Sequence, residues 1–229
     1  MKKISILFLS LFAVSSPLFA GEVSGSVKFS GTQPVMEKIS MNADPTCASL
    51  HSGPVYDDSV IVNGNGTLKN VFVYVKEGLE GKTFPAPSAS IQIDQHGCIY
   101  SPHVLGMQVG QSLEILNSDN TLHNIHSLAE QNKQFNLGMP IQGMKLKKKF
   151  DASEIMVKMK CDVHPWMHAY VGVLPHPFFS VTDAEGNYNI KDLPDGEYTI
   201  EAWHEKYGAQ TQKVTVAGGV VATDFTFNG

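Results

Sequence analysis

No Cys-x-x-Cys-His run occurs in this chain, which excludes a covalently attached c-type haem. Also absent are a Gly-x-Ser-x-Gly elbow, a His-Glu-x-x-His metalloprotease helix and a phosphate-binding loop, so no enzymatic role is expected. Basic charge is short: 17 Lys and Arg stand against 22 Asp and Glu, for a formal net charge of −5. A general nucleic-acid surface needs the opposite balance. After residue 20 no apolar run is long enough to cross a bilayer, so no membrane span is expected. Helical periodicity is scarce, and cysteine is limited to three residues, Cys47, Cys98 and Cys161.

Residues 1–20 begin Met-Lys-Lys, continue as an apolar run from Ile4 and end in small residues at Ala20. That is the layout of a secretory signal peptide, and it places the mature protein in the periplasm or outside the cell. The rest reads as all-β. Short alternating runs bounded by Gly, Pro, Asn and Asp predict strands over 23–29, 70–76, 90–94, 104–109, 112–117, 154–161, 169–174, 188–190, 197–203, 212–216 and 222–227. The spacing suits two sandwiches better than one. Lys145 to Lys149 alternates partly with apolar residues and reads as a solvated strand face.

Towards the C-terminus the run Thr182-Asp183-Ala184-Glu185-Gly186-Asn187-Tyr188, then Leu193-Pro194-Asp195-Gly196-Glu197-Tyr198, supplies turn residues between strands, with Tyr198, Ile200 and Ala202 on one face. The stretch resembles carboxypeptidase regulatory-like, or transthyretin-like, sandwich modules. Gly21 to Phe29 looks like the opening strand of the same module. The expected organisation is a signal peptide over 1–20, an N-terminal β segment over 21–88, a further β domain over 89–176 and a transthyretin-like domain over 177–229. In one reading the N-terminal segment is the first part of the transthyretin-like sandwich, with the domain over 89–176 inserted. In the other the segments follow one another in ordinary order.

An odd cysteine count in an oxidising compartment leaves one thiol for another purpose. Over 154–161 the alternation places Ile155, Val157, Met159 and Cys161 on one face, with Cys161 at the strand's inner end. Asp162-Val163-His164-Pro165-Trp166-Met167 follows as a short loop, so a thiol, an imidazole and a thioether come from one turn at spacings of three and three. Softness then selects the metal: this donor set suits copper in both oxidation states. A second His must come from elsewhere, and the segment from Glu114 through Asn117-Ser118-Asp119-Asn120-Thr121-Leu122 delivers His123. His126 is its competitor, read as sharing the strand face of His123.

Together these residues resemble the cupredoxins, with the short ligand loop of amicyanin and the Asn-x-Asp-x-x-x-His-Asn segment of plastocyanin. The likeness extends to exported cupredoxin-like proteins labelled methylamine utilisation proteins, in which Pro102-His103-Val104-Leu105, the His loop, the Cys-x-x-His-x-Trp-Met loop and a transthyretin-like stretch have the same order. The resemblance implies a Greek-key β-sandwich and one mononuclear blue-copper ion, held by His123, Cys161, His164 and an axial Met167. Asn124 would stand behind them, its backbone amide donating to the thiolate. With Cys161 on the metal, Cys47 and Cys98 remain. They are read as a disulfide, or alternatively as a second metal site through Cys47-x3-His51 and Cys98-x4-His103.

The function implied is electron transfer to an unidentified periplasmic redox protein, a cytochrome or oxidoreductase, with His164 beside Pro165 and Trp166 as the exit through an apolar surface. The alternatives are a copper trafficking or storage module, and an envelope interaction protein with a structural copper site. His103 reads as a hydrogen-bonding residue and His204 as packing; His168 reads as pointing away from the site. Met107, Met139, Met144, Met156 and Met159 read as core.

Overall fold

The computed structural model describes residues 20–229; the expected signal peptide lies outside them except for Ala20, which opens the first strand. The first part of the chain runs β1 (Ala20–Ser30), α1 (Pro45–Ser49), β2 (Phe72–Glu77), β3 (Ile91–Gln95), β4 (Tyr100–Ser101), β5 (Val104–Gln108) and β6 (Leu113–Asn117). It continues with β7 (His123–Ser127), β8 (Phe135–Met139), β9 (Lys145–Lys148), β10 (Glu154–Lys160) and β11 (His168–Leu174). The last part is β12 (Phe179–Val181), β13 (Asn187–Pro194), β14 (Gly196–His204), β15 (Gly208–Val216), β16 (Gly219–Ala222) and β17 (Phe225–Asn228). The fold is all-β, in two sandwiches. Among the described residues no helix is long and apolar enough to cross a membrane.

The terminal sandwich joins the two ends of the chain. β1 lies between β13 and β16 and also pairs β17, while the facing sheet has the order β12-β2-β14-β15. Val23 and Val27 of β1 share a core with Val73 and Val75 of β2, Tyr198 and Ile200 of β14, and Phe225 and Phe227 of β17. The run expected as one strand over 222–227 is two strands, both parallel to β1, broken at Thr223 and Asp224. Gly25 permits that break: a Cβ there would sit 1.9 Å from the Thr223 carbonyl oxygen.

The inserted sandwich packs the sheet β4-β3-β6-β9 against the sheet β5-β11-β10-β7-β8. Ile93, Leu113, Ile115, Ile125, Met139 and Met159 are fully buried in its core. In the connection over residues 31–68, Met41 and Cys47 enter the same core and Ile39 and Val55 pack against it, while Val60, Val62 and Leu68 belong to the terminal core. In β10 the expected alternation fails at Met156, whose φ of 61° shifts the register; Ile155 turns to solvent and Met156 faces the other sandwich.

β2 explains how the sandwiches meet. Four consecutive residues, Phe72 to Val75, are buried because both strand faces are covered. Val73 and Val75 face the terminal core, while Phe72 and Tyr74 pack with Val104, Met156 and Leu174 between the sandwiches. Gly106 and Gly172 leave room for this: an added Cβ would lie 2.4 Å from the Phe179 ring in the first case and 2.4 Å from the Phe72 ring in the second.

Candidate metal centre

Cys161 follows the last residue of β10, and the loop to β11 closes on itself. The Met167 N–H donates to the His164 carbonyl at 2.9 Å and the Cys161 N–H to the Met167 carbonyl at 3.1 Å. Cys161, His164 and Met167 are buried, whereas Val163 and Pro165 face solvent. The Trp166 indole N–H anchors the loop by donating to the Cys98 carbonyl at 2.9 Å.

His123 opens β7 and is held from the preceding turn. Asn117 Oδ1 accepts from the Asp119 N–H at 3.0 Å, an Asx turn, and Asn117 Nδ2 donates to the Met139 carbonyl at 2.8 Å. The Asp119 carboxylate accepts from the N–H groups of Gly97 (2.8 Å) and Cys98 (2.7 Å) and from His123 Nε2 at 2.9 Å. Burial works against its ionisation, but these donors hold it below the ordinary carboxylate range.

The ring of His164 is fixed from the N-terminal connection. Its Nε2 lies 3.0 Å from Asp44 Oδ2 and 3.4 Å from Cys47 Sγ. Asp44 is also the N-cap of α1, accepting from the Thr46 N–H at 2.8 Å. The His164 ring, with lesser help from that cap, pulls the Asp44 carboxyl down to about 2.

With each Nε2–H donated to a carboxylate, the tautomers assigned from these partners turn both Nδ1 lone pairs inward. The Nδ1 atoms of His123 and His164 are 3.0 Å apart, and Cys161 Sγ is 3.8 Å from the Nδ1 of His164. Two imidazole nitrogens on one ion, at roughly 2.0–2.1 Å each, stand about 3 Å apart. Two nitrogens this close beside a sulfur in a buried site need either a shared proton or a cation between them, so the donor set fits a soft metal ion. Burial opposes charging of His123, but its bonds to Asp119 and Cys161 raise it to about 9. Burial likewise opposes the Cys161 thiolate. The His123 ring and the backbone N–H groups of Asn124, His164 and Val163, all directed at the sulfur, win and lower it.

Asn124 Oδ1 accepts from the Asp162 N–H at 2.7 Å and from the Cys161 thiol at 3.3 Å, tying β7 to the loop. Cys47 and Cys98 form a disulfide, with a Cα–Cα distance of 5.6 Å. The alternative second site on these cysteines is not assembled: His51 Nε2 bonds to the Gly97 carbonyl at 2.7 Å, and His103 lies beside Asp58 and Glu205.

Two expectations are corrected. His126 does not share the face of His123: three positions on, it is on the opposite side of β7, with Nδ1 at 3.0 Å from Asp162 Oδ2. His164 is 2% exposed, so it is not a surface exit; Asp44 and Cys47 cover it. Asp44 and Asp119 were not singled out from the sequence. Asp119 carried a signal, four residues before His123 in the Asn-x-Asp segment, whereas Asp44 is 120 positions from His164.

Residues 167–228 match the family model described as the carboxypeptidase regulatory-like domain. A carboxypeptidase regulatory-like domain is therefore present; its match begins at Met167, in the loop before β11, and crosses β11 before entering the terminal sandwich. Curated protein sequences give no match. Among solved structures, a purple cupredoxin from Nitrosopumilus maritimus is 28% identical, covering 36% of this chain and 97% of that one, at a TM-score of 0.31. A cuprous amicyanin mutant is 20% identical, covering 44% and 97%, at 0.33. A copper-containing nitrite reductase from Thermus scotoductus is 20% identical at 0.36, and there the match covers 42% of this chain and 24% of that one. At these TM-scores the likenesses carry no argument of their own, and the case for function rests on geometry.

Proposed function

We propose that His123, Cys161, His164 and Met167 hold one mononuclear copper ion of the blue type, and that the protein is an exported electron carrier, not an enzyme. Its partner would be a periplasmic cytochrome or oxidoreductase. The observation that carries this is the convergence of two inward Nδ1 atoms and one thiol, with both outer nitrogens tied to carboxylates. Copper, when bound, supplies a one-electron change between cuprous and cupric states.

The chain supplies the rest. Asp119 and Asp44 fix both imidazoles before any ion arrives, which limits rearrangement between oxidation states. The N–H groups aimed at Cys161 stabilise the thiolate, and Met167, buried in the same loop, would offer the ion a thioether sulfur. The disulfide-linked segment closes over His164 and excludes water. Such enclosure favours retaining the ion over handing it on, so a carrier suits the site better than a trafficking module. The likeness to exported proteins labelled methylamine utilisation proteins belongs to this proposal and does not extend to amine oxidation.

The test is the visible and electron paramagnetic resonance spectrum of the cupric protein beside Cys161→Ser. An intense thiolate-to-copper band that vanishes in the variant, with reversible reduction and no loss of metal, is expected. A colourless wild type, or a band indifferent to Cys161, refutes the assignment.

A further inference from the structure

A second group of ligand-type side chains lies where the two sandwiches and the 31–68 connection meet, and it shares no residue with the first centre. His103 stands between β4 and β5, His168 opens β11, Glu205 follows β14, and Asp58 belongs to the connection. The side chains of His103 and Glu205 are 4% and 7% exposed. Asp58 Oδ1 is 3.2 Å from His103 Nδ1, and Glu205 Oε1 is bonded to His103 Nε2. The other Glu205 oxygen is 3.3 Å from His168 Nε2, and the Trp166 carbonyl is 3.1 Å from His168 Nδ1. The two rings meet edge to face at 4.9 Å, with the Tyr170 ring 6.0 Å from each.

Every edge of both imidazoles therefore faces an oxygen acceptor. Burial opposes charging of His103, but Asp58 and Glu205 raise it to about 9, so a second proton can serve both its edges; whenever a ring is neutral it has one N–H and turns one lone pair towards an oxygen. The misfit is visible at His103 Nδ1, which is buried and makes no hydrogen bond of acceptable geometry even beside Asp58. A proton on His103 relieves it, and a metal cation replaces that proton by taking the nitrogen lone pairs and the Asp58 oxygen together.

We propose that Asp58, His103 and His168 form a binding site for a divalent transition-metal cation of the zinc type. One ligand atom from each lies within 4.8 Å of the others. Two imidazoles and a carboxylate are a zinc donor set that leaves a fourth position for water, and the absence of sulfur separates it from the soft centre at Cys161. Glu205 is the positioning residue: it accepts from His103 Nε2 and turns Nδ1 to the ion. Together with Asp58 it supplies the two negative charges that offset the cation. The ion would pin the connection, the inserted sandwich and the β14–β15 turn to one another.

The test uses Cys161→Ser, which removes the thiolate of the first centre, with zinc as the probe in equilibrium dialysis followed by metal analysis. One zinc per chain is expected, retained in Cys161→Ser/His123→Gln and bound at least tenfold more weakly in Cys161→Ser/His103→Gln. Asp58→Asn, on the partly exposed connection, is the variant least able to disturb folding. It should weaken zinc at least tenfold with an unchanged circular dichroism spectrum, and Glu205→Gln should weaken it about 10–100-fold. Zinc that follows His123 instead of His103, zinc indifferent to Asp58→Asn, or no zinc held by any form would overturn the proposal and leave the cluster an ion-pair network between the sandwiches.

Discussion

Replacing both Cys47 and Cys98 with Ser opens a crosslink between positions 51 apart in the sequence. The loop-closure entropy of a ring of that length is worth about 4 kcal/mol at 25 °C. Both sulfurs are fully buried, one of them against His164, so Ser adds a small further loss. Trp166 is the natural reporter because its indole N–H bonds to the Cys98 carbonyl, and Trp203→Phe removes the only other indole. At a guanidinium dependence of about 4 kcal/mol per M, the Trp166 midpoint should fall by about 1 M. The cupric double variant should keep its visible band, since Cys161, His123 and Met167 are untouched, but should lose copper to a chelator faster as Asp44 and α1 lift from His164. A loss under about 1 kcal/mol would refute the reasoning, and would mean that Met41 and the Asp44 contacts hold the connection without the crosslink.

At the seam, Gly172→Ala drives a Cβ into the Phe72 ring and should cost about 1–3 kcal/mol by thermal or chemical unfolding. Gly138→Ala, where nothing stands within 4 Å of the added atom, serves as the near-neutral comparison. Burial pushes His204 down to about 4. Between that value and the unfolded 6.5 the unfolded chain binds more protons than the folded one. Stability is therefore complete above about pH 6.5 and falls by about 3 kcal/mol as pH drops through 4. Denaturant midpoints of wild type and His204→Gln measured from pH 7.5 to 4.5 should converge towards low pH; parallel curves would refute the assignment.

The all-β class was legible because most strands carry a period-two pattern, and the Cys161 loop because its three donors are local. What escaped was of three kinds. β7 has inward positions occupied by His123 and Ser127, so the apolar alternation that marks a strand is missing where the side chains serve chemistry. The register shift at Met156 escaped because Glu154 to Cys161 alternates well on paper, while packing against the second sandwich requires the opposite facing for Ile155 and Met156. The carboxylates behind the imidazoles are side chains that only folding brings near. Asp44 is set by a helix cap and a crosslink far from the loop it serves, and no local periodicity encodes such a contact.

The placement of β1 has a consequence for biogenesis. Its ladder partners β13, β16 and β17 begin at residues 187, 219 and 225, so the first strand to leave the ribosome is among the last to be paired. The inserted sandwich lies wholly between β2 and β12, and closes its own sheets while β1 waits. Non-local pairing of this kind is slow, and an unpaired strand edge invites association with other chains. Loss of residues 220–229 would take from β1 the whole of β17 and most of β16, making this segment the latch of the terminal sandwich.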